Sequence, residues 1–286
     1  MFKCWTVKVI YYYKTMKNIR IIATIEARMG STRLPGKVLK KIGNFFLLNF
    51  LIQRVKKSKY LDDIVVATTT NKKDDKIINL LKKNNVNYYR GSENNVNLRL
   101  IKTGELYGAD LIIQLTADNP FVDPKIIDYM IKFYLNNKNK YNYITNCGLG
   151  DYSKGHAPIG LNVKIFLLKH LKKNYEHCNK KDLKEHPSLY FYREGRKKYN
   201  LKNLSLPKKY KTNLNMRLTV DTLKDLKLIR LIFKKIGKNK NIHFGLEKII
   251  KFFNKNNSYL NINKNVKQKK VNLNIWNLHK NLIKKF

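Results

Sequence analysis

The chain has 286 residues, of which 43% are hydrophobic, which is enough for one large globular domain or a domain with a small appendage. Its three cysteines show no CxxC spacing and no nearby histidine cluster, which excludes a disulfide framework and a zinc site and indicates a reducing cytoplasm. No stretch reaches the roughly 20 apolar residues of a transmembrane helix.

The net charge is +41, from 60 Lys and Arg against 19 Asp and Glu. Such a charge makes a polyanion-binding or nucleic-acid-binding protein one hypothesis. However, only ten of the 60 basic residues are arginine, the residue that dominates base and phosphate readout. We therefore expect a solvated, lysine-rich surface and no dedicated nucleic-acid partner, and we keep polyanion binding as an alternative.

The N-terminal segment has a short apolar run that lysines interrupt, and it lacks the small-residue cleavage site of a signal peptide. Met16 leads directly into the first long apolar run. We interpret residues 1–15 as a non-native or disordered extension that packs poorly.

Strand and helix patterns then alternate along the chain, which favours an α/β fold with a mostly parallel sheet covered on both faces. The helix that begins at Pro124 has Asp123 as its cap, and Thr222 and Asp225 have capping-box spacing in a helix that ends near Gly237. The remaining periodic segments predict strands over 19–25, 64–68, 86–90, 111–115 and 217–220, and helices over 45–57, 71–83 and 96–107.

The loop after the first strand carries the groups that bind a polyphosphate. Its glycines let the backbone turn, its hydroxyls and amides can donate to phosphate oxygens, and its cations match phosphate charge. Its spacing fits neither the P-loop nor the dinucleotide fingerprint, and an ordinary basic surface loop is the alternative. The residues concerned are Arg28, Gly30, Ser31, Thr32, Arg33, Gly36 and Lys37.

Asp118 follows the buried strand 111–115, at the end where open α/β sheets place their ligands. One or two carboxylates together with substrate phosphates commonly hold Mg²⁺, so Asp118 is a candidate metal ligand. The alternative is an Asx-turn residue ahead of Asn119 and Pro120.

The residues from Ala27 to Leu39 closely resemble the N-terminal signature of the cytidylyltransferases that activate acidic sugars. The nearest branch is the spore coat polysaccharide biosynthesis type, related to the 3-deoxy-manno-octulosonate and acylneuraminate enzymes. Residues 117–124 resemble the family's Gly-Asp-x-Pro-x-x-Asp-Pro motif, with Ala117 in place of glycine. The resemblance runs in the correct order over about residues 16–272.

The resemblance implies a Rossmann-like, nucleotide-diphospho-sugar transferase fold over residues 16–250. A small β-rich insertion at about 150–215 would bind sugar and form a homodimer. Residues 251–286 would be a polar C-terminal region with a terminal amphipathic helix. The apolar stripe of that helix, over residues 273–286, could bind a membrane surface, its own domain or a partner chain.

The resemblance also implies roles for individual residues. Arg28, Lys37 and Asp118 would be catalytic, and Asp118 and Asp221 would bind Mg²⁺, although Asp221 could equally be a helix cap. The family pattern has acids where this chain has Asn162 and Lys164, which changes the charge of the expected sugar pocket. The expected nucleotide-binding residues are Ala27, Arg28, Gly30, Ser31, Thr32, Arg33, Lys37, Gly91 and Ser92, and the expected sugar-binding residues are Asn162, His186, Tyr190 and Arg217.

The function that the resemblance implies is Mg²⁺-dependent transfer of CMP from CTP to an acidic sugar, with release of pyrophosphate. The enzyme would act in the cytoplasm, and its product would be used for surface polysaccharide. A related enzyme for another nucleotide or sugar remains an alternative. So does a non-catalytic relative, for which Ala117, Asn162 and Lys164 are the hints.

Overall fold

The computed structural model describes residues 19–138, 140–149, 154–237 and 241–268. The expected extension at 1–15 and the terminal apolar stripe at 273–286 lie outside these residues.

A seven-stranded sheet forms the centre of the described structure, and a two-stranded antiparallel sheet of β2 and β3 lies apart from it. The strand order of the main sheet is β5-β4-β1-β6-β8-β7-β9. Strand β8 is antiparallel to both neighbours and the other pairs are parallel, so the predicted mostly parallel sheet is confirmed. The strands are β1 (Ile21–Glu26), β2 (Lys41–Ile42), β3 (Phe45–Phe46), β4 (Asp63–Thr69), β5 (Asn87–Gly91), β6 (Leu111–Thr116), β7 (Tyr143–Thr145), β8 (Lys164–Leu167) and β9 (Leu201–Asn203).

Helices cover both faces of this sheet, and two buried apolar clusters lie between the layers. Ile21, Ala23 and Ile25 face one cluster and Ile22 faces the other, as the two-residue period of a buried strand requires. No helix of the described residues is long and apolar enough to cross a membrane. The helices are α1 (Leu47–Val55), α2 (Asp75–Lys83), α3 (Val96–Leu106), α4 (Pro124–Asn136), α5 (Leu168–Tyr175), α6 (Lys181–Glu185), α7 (Leu189–Tyr192), α8 (Leu223–Ile236) and α9 (Leu246–Lys255).

Local capping fixes the helix starts that the sequence predicts. Asp123 accepts a hydrogen bond from the Lys125 amide at 2.9 Å. Thr222 and Asp225 form both halves of a capping box at the start of α8. The helix expected from residue 45 begins at Leu47 instead, because the two preceding residues pair with β2.

Two expectations need correction. The strand predicted at 217–220 is wrong: Arg217 makes a single bridge to Ile159, and the amide of Val220 then donates to the carbonyl of Asp118 at 2.8 Å. Its backbone partners lie in the loop at Ile159 and in the turn after β6, so it has no neighbouring strand along which to extend a ladder.

The segment 150–215 is richer in helix than the β-rich insertion that we expected. Its described residues give the main sheet the short strands β8 and β9, and they also form helices α5, α6 and α7. In α5 the buried side chains are Leu168, Leu171 and Asn174, a three-residue spacing that matches one face of a helix.

The strand order places the functional loops. From β1 the chain moves to β4 and β5 on one side, and β6 then pairs with β1 on the other side. Ligands of open α/β sheets bind outside the carboxyl ends of the strands where this reversal occurs. Glu26 and Thr116, the last residues of β1 and β6, are paired, so the loops after these strands lie side by side.

Candidate active site

The loop after β1, residues 27–37, folds back on the carbonyl of Met29. This carbonyl accepts hydrogen bonds from the amides of Ser31 at 2.9 Å and Gly36 at 3.0 Å. Gly36 has a φ of 66°, a left-handed conformation that glycine adopts without steric cost. Gly30 packs closely against the loop after β5, since a Cβ atom on Gly30 would lie 3.1 Å from Glu93 Oε1.

A buried carboxylate that no sequence motif indicates, Asp74, holds this loop to β4. Asp74 is 1% exposed, and its Oδ1 accepts the Met29 amide at 2.7 Å. Its Oδ2 accepts the hydroxyls of Thr69 at 2.5 Å and Thr68 at 3.2 Å. The sequence placed Asp74 at a helix start, and no local pattern indicated that it would reach the first loop.

Three separate segments meet at the ammonium group of Lys37. Its Nζ lies 2.6 Å from Asp118 Oδ2 and 2.9 Å from Asp221 Oδ1. The other oxygen of Asp221, Oδ2, lies 2.9 Å from the guanidinium of Arg33 and 2.6 Å from that of Arg217. The loop after β1, the loop after β6 and the segment before α8 therefore form one ion cluster.

The protonation states in this cluster are set by the opposing charges. Burial raises the pKa of Asp221, but Lys37, Arg33 and Arg217 outweigh it and leave that pKa below its ordinary value. Burial lowers the pKa of Lys37, and the carboxylates of Asp118 and Asp221 outweigh it and leave that pKa above its ordinary value. Both Lys37 and Asp221 are therefore ionised at neutral pH.

The cluster is supported from behind by a second carboxylate and an amide. Asp225 is fully buried, and its Oδ1 accepts Arg217 Nε at 3.0 Å and Asn263 Nδ2 at 2.9 Å. Asn263 also donates to the carbonyl of Arg217 at 3.0 Å. These bonds hold the Arg217 guanidinium in place beside Asp221.

Residues 263–268 run from Asn263 to the entrance of the site. The guanidinium of Arg217 donates to Gln268 Oε1 at 2.5 Å, and that of Arg33 donates to the carbonyl of Lys267 at 3.2 Å. The sequence predicts a polar C-terminal region here and gives no sign of its contacts with the site. Because these contacts join residues far apart in the chain, no periodic pattern could reveal them.

A cavity of about 170 Å³ opens beside the ion cluster. Asn162 lines it, and the buried Oδ1 of this residue has no hydrogen-bond partner in the described structure. Lys164 also lines it and donates from Nζ to Ser188 Oγ at 2.9 Å. The full lining is Arg33, Gln114, Thr116, Asp118, Asn119, Ile159, Asn162, Lys164, Thr219, Asp221 and Gln268.

Several of the other predicted site residues lie at the edge of this assembly. Ala27 is buried at the end of β1, while the side chain of Arg28 forms no hydrogen bond or ion pair with a described residue. Ser31 and Thr32 lie in the turn before Lys37, and Thr32 is exposed. Gly91 ends β5, and the carbonyl of the next residue, Ser92, accepts a hydrogen bond from the Arg99 guanidinium.

Of the four predicted sugar-binding residues, Asn162 lines the cavity and the other three do not; Arg217 lies beside the cavity, paired with Asp221. His186 follows the last residue of α6, and Tyr190 lies buried in α7. The Tyr190 ring stacks on His177 with ring centroids 5.8 Å apart, and it belongs to the same buried apolar cluster as Ile22.

Ala117, where the family pattern has glycine, is compatible with the turn after β6. Asn85 is the one non-glycine residue of the described chain with a positive φ, so Ala117 has no left-handed strain. The amide of Ala117 donates to the carbonyl of Glu26 at 3.0 Å. The substitution therefore leaves the position of Asp118 unstrained.

The loop after β1 thus lies at the reversal of strand order, the position at which open α/β sheets bind their ligands. A model of the cytidylyltransferase family matches residues 22–272, and the chain belongs to that family. The predicted family and the predicted enzyme class are thereby confirmed.

Two relatives match this chain over nearly their whole length. The spore coat polysaccharide biosynthesis protein SpsF of Bacillus subtilis is 33% identical over 240 residues, which span 82% of this chain and 95% of the relative. An uncharacterized protein of Methanocaldococcus jannaschii is 37% identical over 251 residues, or 88% of this chain and 97% of that protein.

The structural comparisons agree with this family. A cytidylyltransferase from Leptospira borgpetersenii matches with a TM-score of 0.78 at 30% identity, covering 87% of this chain and all of that one. A CMP:2-keto-3-deoxy-manno-octonic acid synthetase complexed with CTP matches with a TM-score of 0.56 at 15% identity, over 76% of this chain and 99% of the other. The second match reflects the fold alone.

Proposed function

We propose that this protein transfers CMP from CTP to an acidic sugar, with Mg²⁺ as cofactor and pyrophosphate as leaving group. The observation that carries the proposal is Lys37, whose ammonium bridges Asp118 and Asp221 where the loops after β1 and β6 meet. This arrangement places a movable cation and two carboxylates together at the ligand-binding edge of the sheet.

The residues of the first loop would hold the triphosphate. Lys37 and Arg33 are paired with carboxylates in this structure, and both can turn to phosphate oxygens when CTP enters. Arg28, which has no ion pair among the described residues, adds a guanidinium fork for the same phosphates. The sugar hydroxyl forms a bond to the α-phosphorus and loses its proton, while the bond from that phosphorus to pyrophosphate breaks. Catalysis then comes mainly from positioning and charge.

The carboxylates fit Mg²⁺ by their chemistry and their convergence. The Lys37 ammonium lies within 2.9 Å of both Asp118 and Asp221, so the two carboxylates approach a single positive charge. The described residues contain no group of three or more His, Cys, Asp or Glu that could hold a metal. Mg²⁺ commonly uses one or two carboxylates plus substrate phosphates, and when bound it stabilises negative charge on phosphate oxygens.

The cavity beside the cluster supports an acidic sugar. Lys164 places a positive charge where the family pattern has an acid, and Arg217 lies next to the cavity on Asp221. The unpaired oxygen of Asn162 can accept a hydrogen bond from a sugar hydroxyl. The name of the Bacillus relative favours a product used for surface polysaccharide.

The direct test is pyrophosphate release with Mg²⁺, offering CTP, UTP, GTP and ATP against a panel of ulosonic acids and neutral sugars. We expect release with CTP and an acidic sugar only. Lys164→Gln should raise KM for the acidic sugar about tenfold or more and leave KM for CTP unchanged, since a charged hydrogen bond contributes about 1.5–3 kcal/mol. The control is Lys202→Gln, which removes a lysine of the β9 strand that does not line the cavity.

Other results would revise the proposal at separate points. Release with a different nucleotide or a neutral sugar would keep the reaction type and overturn the substrate. If CTP raised the melting temperature and no sugar gave release, a non-catalytic relative would be favoured. If no nucleotide raised it, the phosphate-loop assignment would fail.

A further inference from the structure

The cavity beside the ion cluster has one wall from the C-terminal part of the chain. Gln268 lines this cavity of about 170 Å³, and it is half-buried. The other lining residues lie between Arg33 and Asp221 in the chain, so Gln268 reaches the cavity from a separate segment that follows α9. Because Asn162 and Lys164 line the same cavity, a sugar bound there would also lie against Gln268.

Hydrogen bonds hold the segment that carries Gln268 to the site at both ends. Asn263 is 2% exposed, and its Nδ2 donates to the carbonyl of Arg217 at 3.0 Å. At the other end, the Arg33 guanidinium donates to the carbonyl of Lys267 at 3.2 Å. Gln268 is therefore presented to the cavity from an anchored backbone, which lowers the entropy cost of binding a ligand through its side chain.

The hydrogen bond to Arg217 orients the amide group of Gln268. Its Oε1 accepts from the Arg217 guanidinium at 2.5 Å. A glutamine amide has one oxygen that accepts and one nitrogen with two donors, whereas arginine only donates, so the oxygen must face Arg217. The Nε2 of Gln268 forms no hydrogen bond with a described residue. Its two N–H groups are therefore available to a ligand in the cavity.

The charges of the cavity lining favour a carboxylate as the partner of these donors. Asp118 and Asp221, the acids of the lining, each accept a hydrogen bond from the Lys37 ammonium. The second oxygen of Asp221 pairs with Arg33 at 2.9 Å, so both acids are already engaged by cations. Lys164 adds a positive charge to the same lining. Donors beside a cation suit a group that only accepts hydrogen bonds, as an ionised carboxylate does.

We propose that Gln268 is a specificity-determining residue for the sugar, donating from Nε2 to the carboxylate of the acidic sugar while its Oε1 holds Arg217. Resting on the proposed function, this assignment gives the segment after α9 a contact with the acidic group that distinguishes the sugar from a neutral one. Loss of such a charged hydrogen bond commonly weakens binding about tenfold or more.

Gln268→Glu separates this donor from a purely structural acceptor. Glutamate keeps the length of the side chain and can still accept from Arg217, but it has no N–H group to donate and it brings a negative charge. If Gln268 only holds Arg217, the variant should bind the sugar as the wild type does. If Gln268 donates to the sugar carboxylate, KM for the acidic sugar should rise by more than about tenfold.

The test is steady-state pyrophosphate release by the full chain with Mg²⁺, in which CTP and the ulosonic acid that gives release are varied in turn. For Gln268→Glu we expect a raised KM for the sugar, a KM for CTP near the wild-type value and no loss of melting temperature. Gln268→Met removes donor and acceptor without adding charge, and it should raise KM for the sugar about tenfold. The matched control is Asn265→Asp, the same amide-to-carboxylate change at an exposed residue outside the cavity lining, which should leave both KM values unchanged.

The possible failures have different signatures. A wild-type KM for the sugar in Gln268→Glu overturns the role of Gln268 and leaves the proposed function standing. So does a KM for CTP that rises as much as KM for the sugar, because the change would then act on the charge of the whole site. If Gln268→Glu does not fold, Gln268→Met decides, and an unchanged KM for the sugar in that variant overturns the role. If the wild type gives no release with any ulosonic acid, the proposed function itself fails and the role of Gln268 falls with it.

Discussion

At the scale of single residues, charge neutrality governs the candidate active site. The cations Lys37, Arg33 and Arg217 are balanced by Asp118, Asp221 and the fully buried Asp225. In the sequence, Lys37, Asp118 and Asp221 could each be singled out by a local motif. The support from Asp74, Asn263 and Gln268 could not be, because nothing beside these residues in the chain indicates their distant partners.

Asp118→Asn should lower turnover by about 10²–10³-fold, the usual effect of removing one preorganised electrostatic group. The carboxylate accepts the Lys37 ammonium at 2.6 Å and the Thr116 hydroxyl at 2.7 Å, so the variant keeps the shape and loses the charge. Steady-state pyrophosphate release measures the effect. Asp75→Asn is the matched control, because that side chain is 54% exposed and lies on α2. A rate for Asp118→Asn within twofold of the wild type would remove Asp118 from the mechanism.

The depressed pKa of Asp221 predicts how stability depends on pH. An aspartate titrates near about 3.9 in an unfolded chain. Since the folded pKa is lower, the stabilisation from Asp221 is complete above that pH and is lost as pH falls through the folded pKa. Urea unfolding should therefore show the wild type about 1.5–3 kcal/mol more stable than Asp221→Asn near pH 7, with the difference vanishing in strong acid. A difference that stays constant from neutral to strongly acidic pH would contradict this account.

At the scale of elements, local patterns predicted well the strands that are buried on both faces and the helix that buries one face. Strands β1, β4 and β6 and helix α4 follow from apolar runs and from the Asp123 cap. The strand prediction at Arg217 failed because the segment makes one bridge, to Ile159, and then donates to the carbonyl of Asp118 in the turn after β6. The insertion at 150–215 failed in part because its short helices pack on the aromatic cluster around Phe191, and such tertiary contacts are not visible in a local pattern.

Gly36→Ala tests whether the turn of the first loop serves binding. Gly36 has a φ of 66° and Gly108 has a φ of 63°, so alanine at either position should cost about 1–2 kcal/mol of stability. Only Gly36→Ala should also weaken CTP binding, because Gly108 follows α3, away from the site. Thermal unfolding and calorimetric titration of both variants provide the check. Equal CTP affinities in the two variants would show that this turn does not shape the site.

At the scale of the whole molecule, most of the net charge of +41 comes from lysines that lie outside the candidate site. Lys37, Arg33 and Arg217 of the candidate site are paired with carboxylates, whereas most lysines are distributed over the exterior. Exposed charges are screened over about 8 Å at physiological salt, so the surface lysines should affect nucleotide binding only weakly.

Double-stranded DNA should therefore not inhibit pyrophosphate release at about 0.15 M salt. Any DNA binding through surface lysines should fall steeply as salt rises, because it depends on counterion release. An activity assay with and without DNA at several salt concentrations makes the comparison. Strong inhibition by DNA at physiological salt would instead favour the polyanion-binding alternative.

We propose that Lys37, held between Asp118 and Asp221, binds the triphosphate of CTP. The measurement that tests it most directly is calorimetric titration of CTP with Mg²⁺ into Lys37→Ala and Lys41→Ala, which remove the same charge four residues apart. Lys41 is exposed, so its variant should match the wild type. Lys37→Ala should bind CTP about 10–100-fold more weakly, as expected for the loss of a charged hydrogen bond. Equal affinity in the two variants would contradict the account.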